Sequence, residues 1–408
     1  MERKVVVTGI GPVTPVGTGR DAFWDALVAG RSGIAEVTLF DASEFPVRIA
    51  GEVKDFDPST WMEPKAVKRT DRVVHLAVAA AKLAWEDAGQ PRTDPQRAAV
   101  VMSTGVGGLQ YMEDQIRILA SRGPGRVSAF TVPAMMPNAA AGTIAMELGF
   151  TGPNACITTA CAAGAHGIGE GYRYIKHGMA DICLAGGTEA GVTPLAMAAF
   201  AQMQALTRNP DPLQASRPFD ADRDGFVMAE AACVLVLEEE EHARARGATI
   251  YAEVAGYGTS ADAYHITAPE PQGTGAVIAM QMALTDAEEA AEAVDYVNAH
   301  GTSTPLNDAA ETRAIKKALG DHAYNVAVSS TKSMTGHMVG AAGAAEGAVI
   351  ALAIDRGVIP PTTNYETADP ECDLDYVPNE ARTADVRLAL SNSFGFGGQN
   401  AVVAFRKR

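Results

Sequence analysis

Cysteine is scarce in this chain, and what there is forms no pattern. The 408 residues carry five, Cys156, Cys161, Cys183, Cys233 and Cys372, widely spaced and without a C-x-x-C. An odd, scattered set excludes a disulfide framework or a zinc knuckle and points to a reducing compartment, so a cytoplasmic location is expected. Long hydrophobic runs are missing too. The most apolar stretch, Val339 to Ile354, is shorter than the ~20 residues of a membrane span and carries Glu346, so it reads as a buried core helix. The opening Met1-Glu2-Arg3-Lys4-Val5-Val6-Val7 enters a strand pattern at once, and no leader-type apolar region is expected there. Positive charge is in deficit. A net charge of −16 argues against nucleic acid as a general partner, and any acidic partner would need a local basic patch. Nucleotide fingerprints fail as well. Gly105-Val106-Gly107-Gly108 follows a strand, but it is not a phosphate-binding G-x-x-x-x-G-K-[ST], and no acidic residue sits at the dinucleotide spacing.

What is present is an ordinary globular composition, 47% hydrophobic and 20% charged, with material for two domain-sized halves. Buried strands are predicted over Lys4–Ile10, Ala98–Met102, Ala155–Thr158, Asp181–Ala185, Ala232–Leu237, Val294–Asn298 and Val326–Ser329. Helices are predicted over Asp21–Ala29, Val67–Ala88, Asn138–Leu148 and Glu238–Arg246, each alternating with strands. That alternation argues for an α/β fold with parallel sheets. A second series begins at Ile250, which suggests halves at 1–249 and 250–408. The polar loop Ser216 to Gly225 reads as an ion network as readily as a site.

The chemistry centres on Thr158-Thr159-Ala160-Cys161-Ala162-Ala163-Gly164-Ala165-His166-Gly167. A strand, a sharp turn and a small-residue helix would put Cys161 at a helix N-terminus, where free N–H groups favour a thiolate. Shifted by 176, the stretch resembles His337 to Gly347: Gly164 falls on Gly340, Gly167 on Gly343, Glu170 on Glu346. The repeat predicts two central helices packed face to face, with Cys161 and His337 at matching starts. His300, in Ala299-His300-Gly301-Thr302-Ser303-Thr304-Pro305, and His337, after Lys332-Ser333-Met334-Thr335-Gly336, follow strand ends, where open α/β sheets place their sites. Ser393-Phe394-Gly395-Phe396-Gly397-Gly398 forms a tight loop whose N–H groups could serve an anion. A cysteine at a helix start with two loop histidines suits covalent acyl chemistry: a thioester on sulfur, and histidines donating to an oxyanion or enolate. A zinc site is a weaker rival, because close ligand spacing is missing. Spacing alone leaves hydrolysis and transfer open.

These motifs together resemble the β-ketoacyl-(acyl-carrier-protein) synthases, the condensing enzymes of fatty acid synthesis, and most closely their type II members. The resemblance runs essentially end to end. It implies the thiolase-like fold, two duplicated βαβαβ-type halves in five layers (α-β-α-β-α), a homodimer, and no cofactor beyond the phosphopantetheine carried by substrates on acyl carrier protein. It implies Cys161 as acyl nucleophile, His300 and His337 in malonyl decarboxylation, Lys332 with Glu346 behind it as the charge network, and Asp308 in support. Phe396 would supply an oxyanion N–H beside that of Cys161 and gate acyl entry, and Phe394 and Gly395 would bind substrate. Thr267, Thr302 and Thr304 would line the pantetheine tunnel, and Val106 and Phe200 would shape the acyl pocket. Lys65, Lys68, Arg69, Arg126 and Arg208 would dock the acidic carrier. The ketosynthase subunit of an aromatic polyketide system shares the Cys-His-His set. The chain-length partner subunit, a mainly non-catalytic member of the fold, lacks the nucleophile.

Overall fold

Alternating apolar side chains sort the strands into an inner and an outer face. Along Ala231–Glu239, Cys233, Leu235 and Leu237 join the central core, while Ala232, Val234 and Val236 join an outer one. Along Gln399–Arg406, Ala401, Val403 and Phe405 face the same central core, and Val402 and Ala404 face a second outer one. The period of two makes each strand buried on both sides, as a strand covered by helices on both faces must be.

The computed structural model describes residues 3–408; Met1 and Glu2, at the head of the expected first strand, lie outside the described residues. Ten strands form the path of the main sheet. The first five are β1 (Val5–Thr14), β2 (Ala98–Ser103), β3 (Asn154–Ala155), β4 (Ile182–Glu189) and β5 (Ala231–Glu239). The second five are β6 (Ala252–Ala261), β7 (Tyr296–Asn298), β8 (Ala327–Ser329), β9 (Leu388–Gly395) and β10 (Gln399–Arg406). From one edge the order is β3-β2-β4-β5-β1, then β6-β10-β9-β7-β8. Each five has the same topology: parallel pairing except for its fifth strand, which runs antiparallel to both neighbours. The two first strands join the halves, Val5 pairing with Val254 and Val7 with Ala252.

Six helices repeat with the strands. Helices α1 (Arg72–Asp87), α2 (Ala139–Leu148) and α3 (Ala163–Lys176) follow β1, β2 and β3; α4 (Thr274–Asp286), α5 (Pro305–Leu319) and α6 (Ala342–Arg356) follow β6, β7 and β8. The central core draws on α3 and α6 with the inner faces of both sets of strands. One outer core takes α1 and α2, the other α4 and α5. This is the expected five-layered arrangement.

Several element boundaries differ from the expectation; the strands expected to end at Ile10 and Ala185 run on to Thr14 and Glu189, and two further differences bear on the site. The helix predicted from Val67 breaks at Asp71, whose carboxylate accepts from Val73 N at 2.8 Å and from Tyr111 N at 2.7 Å, capping α1 one residue later. The strand predicted over Ala155–Thr158 shrinks to Asn154–Ala155, because the chain leaves the sheet edge to reach the turn at Ala160.

The repeat offset is also corrected. Both central helices begin with a 3-10 turn, Ala160–Ala162 and Val339–Ala341, and both first turn residues are left-handed, Ala160 at φ +48° and Val339 at φ +43°. The true offset is therefore 179 (339 minus 160, and 342 minus 163) and not 176. Gly164 and Gly343 become the mates. A Cβ on Gly164 would lie 2.6 Å from Ala344 N, and one on Gly343 2.6 Å from Ala165 N, so each glycine admits the other helix's backbone. The mate of Cys161 is Gly340, and His337 stands one turn earlier.

Candidate active site

Cys161 sits in the 3-10 turn directly ahead of α3, after the left-handed Ala160. A non-glycine residue held there marks a bend that the surroundings must enforce. The loop after β9 presses on this bend. A Cβ on Gly395 would lie 2.6 Å from Thr159 O and 3.4 Å from Cys161 N. That contact brings the Phe396 N–H to the Cys161 sulfur, alongside the N–H of Cys161 itself.

His300 follows β7. Its N–H and that of Gly301 donate to the Glu311 carboxylate on α5, at 2.8 and 2.7 Å, which fixes the loop. His337 follows the short helix Lys332–Thr335 and the left-handed Gly336. Its backbone is clamped by a bond from its N to Val227 O (2.7 Å) and by Ala229 N donating to its carbonyl (3.0 Å), and the Phe226 ring meets its imidazole edge-on. These constraints place His337 Nε2 3.0 Å from Cys161 Sγ, with the two imidazole centres 5.4 Å apart. One ligand-type atom from each of Cys161, His300 and His337 falls within 4.8 Å of the others. Thiol and imidazole are also zinc-type donors, so the set is compatible with a soft metal as well as with acyl chemistry.

The thiolate expected from the helix start is opposed. Burial pushes the Cys161 thiol up to about 12, against the Lys332 charge and the N–H groups of Phe396 and Cys161. Burial first, then the Lys332 charge, holds both imidazoles well below the usual range, with His337 adding to the effect at His300. The resting site is thus a thiol and two neutral imidazoles. Neither Nδ1 has a protein partner, so no second hydrogen bond locks either tautomer. Lys332 is fully buried and paired with Glu346 on α6. Burial raises the Glu346 carboxyl, and Lys332 pulls it back.

The three groups open into a cavity of about 380 Å³. Phe200, Thr267, Thr302, Thr304, Phe394, Gly395 and Phe396 line it. The hydroxyls of Thr302 and Thr304 are 2.8 Å apart. Val106 does not line this cavity. It stands 50% exposed on the Gly105–Gly108 turn, so the single chain does not place it in an acyl pocket. Asp308 supports the site from behind: it accepts from Phe219 N at 2.8 Å, and Phe219 packs beneath Gly301. The Ser216–Gly225 loop is largely an ion network, Arg217 with Asp220 and Arg223 with Asp308 and Asp369. Its last acid, Asp224, reaches the cavity.

The basic residues expected to dock the carrier are exposed. Lys65, Lys68 and Arg69 occupy the segment before α1, Arg126 the turn Pro124–Arg126, and Arg208 a loop whose N–H donates to Asp224 at 2.9 Å. Arg69 stacks 4.4 Å over the ring of Phe130, four residues beyond Arg126.

Several site residues escape the sequence reading. Asp262 links the two walls of the cavity: its N–H donates to Gly398 O (2.7 Å) and its carboxylate accepts from Asn400 Nδ2 (2.7 Å). Glu311 and Glu189, which ends β4, are buried carboxylates that hold loops through backbone N–H groups. A charged residue closing an apolar strand was the available signal for Glu189.

The chain matches the family models for the beta-ketoacyl synthase N-terminal domain over residues 2–243 and C-terminal domain over 251–366. It is 53% identical to 3-oxoacyl-[acyl-carrier-protein] synthase 2 of Synechocystis, covering 100% of this chain and 98% of that protein. The same-named protein of Coxiella burnetii is 49% identical, covering 100% and 99%. Among solved structures, a beta-ketoacyl synthase from Burkholderia phymatum superposes with a TM-score of 0.91 at 36% identity. A type II polyketide ketosynthase, solved with its acyl-carrier protein and bound to the hexaketide, gives 0.93 at 35%; each of these two covers 100% of both chains.

Proposed function

This chain belongs to the beta-ketoacyl synthase family, and on that premise we propose how its residues carry out the condensation. The enzyme joins an acyl group to malonyl-acyl-carrier protein with loss of carbon dioxide and lengthens the chain by two carbons, an acyltransferase of type II fatty acid synthesis. The observation that carries the residue roles is Cys161 Sγ at 3.0 Å from His337 Nε2, with His300 on the same cavity.

In the first half-reaction the Cys161 proton passes to His337 Nε2 as sulfur attacks the incoming thioester carbonyl. The oxyanion forms beside the N–H groups of Phe396 and Cys161. Its collapse leaves the acyl group on Cys161 and expels the pantetheine thiolate, which takes the proton. In the second, the malonyl carboxylate leaves as carbon dioxide and its electron pair forms an enolate. Neutral imidazole N–H groups of His300 and His337 stabilise the enolate oxygen; imidazoles held well below the usual range remain donors and are not spent as acids. The enolate carbon attacks the acyl carbonyl and Cys161 departs. The scheme calls on no cofactor and no metal.

Phosphopantetheine enters past Thr267, Thr302 and Thr304, and the carrier docks on Lys65, Lys68, Arg69, Arg126 and Arg208. The enzyme works in the cytoplasm as a homodimer. The edge of β3 at the end of the sheet supports this, with exposed Val132, Met135 and Met136 on the segment before α2. Among the described residues no helix is long and apolar enough to cross a membrane. Polyketide ketosynthases share the architecture, but the fatty acid reading draws on 53% identity against 35% for the polyketide structure. The test is intact mass after mixing with acyl-carrier protein: one acyl adduct, absent in Cys161→Ser, followed by a product two carbons longer when malonyl-carrier is added. No adduct on the parent enzyme would overturn the reading.

A further inference from the structure

The start of α6 repeats the start of α3, yet it holds no nucleophile. Gly340 stands where Cys161 stands in the first half, and a carboxylate fills the space above it. Glu189, at the end of β4 and 2% exposed, accepts from Gly105 N (2.6 Å), Gly340 N (3.1 Å), Val106 N (3.3 Å) and the Thr104 hydroxyl (3.1 Å). One side chain thus ties the turn after β2 to the turn ahead of α6. The fit admits nothing more: a Cβ on Gly340 would lie 2.3 Å from Gly105 N, and one on Gly105 2.5 Å from Glu189 Oε2.

Between these ties sits Val339, a β-branched residue at φ +43° whose side chain lines the cavity beside Cys161. Such backbone persists only where the surroundings impose it. The bond from Gly340 N to Glu189 is the restraint next in the chain, and His337 lies two residues before Val339. We propose that Glu189 is a positioning residue for condensation, clamping Val339–Gly340 to Thr104–Val106 so that His337 and the cavity wall stay in register with Cys161.

The inference rests on the reading that Cys161 carries the acyl group, and the parent enzyme's own adduct tests that reading separately. Glu189→Gln keeps the shape but replaces an acceptor with a donor among N–H groups. Acyl transfer to Cys161 at saturating acyl-carrier should slow at least tenfold, with the circular dichroism spectrum of the folded protein unchanged. Alkylation of Cys161 by iodoacetamide gives an independent readout. The Glu189 charge disfavours the thiolate, so its removal should shift the pH midpoint of alkylation downward while transfer slows, a combination that loss of folded protein cannot produce. Glycine adopts left-handed backbone freely, so in a Val339→Gly background the Glu189→Gln penalty should shrink at least threefold. Transfer within twofold of the parent, an unshifted alkylation profile, or an undiminished penalty in the Val339→Gly background would each overturn the assignment.

Discussion

The two central helices begin alike and end up doing opposite things. Each opens with a left-handed residue and a 3-10 turn, and each admits the other through one glycine, Gly164 or Gly343. At the first, the position after the bend is Cys161, and the loop above it offers N–H groups and a cavity. At the second it is Gly340, and a carboxylate with its hydrogen bonds occupies the space. The duplicated frame supplies two helix starts. Whether one becomes a site depends on whether the strand-end loop above it leaves room: Gly395 and Phe396 do, Glu189 does not.

The comparison is tested most severely at Cys161. Cys161→Ser should lose the acyl adduct and all condensation while keeping the parent's melting temperature, since the change is nearly isosteric. A condensing Cys161→Ser enzyme would mean that the helix start is not where the acyl group resides. Next come the imidazoles. His300→Ala and His337→Ala should reduce carbon dioxide release from malonyl-carrier by roughly 10²–10⁴-fold, the usual range for a lost acid–base or donor group. Release at the parent's rate would remove that residue from the mechanism. The second helix start should answer in stability. Gly340→Ala brings a methyl against backbone at 2.3 Å and should cost ~1–3 kcal/mol or more, read as a lower denaturation midpoint in urea. An unchanged midpoint would show that the space above Gly340 is not closed.

The basic residues sharpen the contrast, because all of them lie in the first half. Lys65→Glu with Arg69→Glu should raise the KM for carrier-bound substrate about tenfold and leave a short pantetheine thioester unaffected, and salt should act on the parent in the same direction. Equal loss with the small thioester would make the patch structural. The smallest effect is on pH. Burial pushes the Glu189 and Glu311 carboxyls up from 4.5 to about 7. Between those values the folded protein binds more protons than the unfolded chain, so stability should fall as pH rises from 4.5 to about 7, by roughly 1 kcal/mol or more per group. Glu311→Gln should flatten part of that slope in urea titrations. A slope the substitution leaves unaltered would mean that Glu311 keeps an ordinary carboxylate.

Much of the site was legible in the sequence because the chemistry demands particular residues in particular turns: Cys161 before a small-residue helix, His300 and His337 after strands, glycines around Phe394 and Phe396. The duplication was legible too, but its register was not. Small residues recur every three or four positions along a helix face that meets another backbone, so a slip of three puts glycine on glycine again. Gly164 matches Gly340 by composition and Gly343 by structure. Val106 lies on an exposed turn outside the single chain's cavity; a turn in a pocket and a turn on a surface share the same glycines, and only the packing around them tells which it is. Glu189 and Glu311 are harder to read because most of their partners are backbone N–H groups, which leave no mark in a sequence.

The seam between β1 and β6 has a consequence for how the molecule is made. The first strand of the chain pairs with a strand some 250 positions later, and Gly164 at the start of α3 packs on the backbone of α6. During synthesis at ~5–20 residues per second, the amino-terminal half therefore waits many seconds with a bare strand edge and an uncovered helix face. Long-range closure of this kind is slow and prone to mispairing. The half that carries Cys161 is synthesised first and completed last, only when the strand of the second half arrives to pair with it.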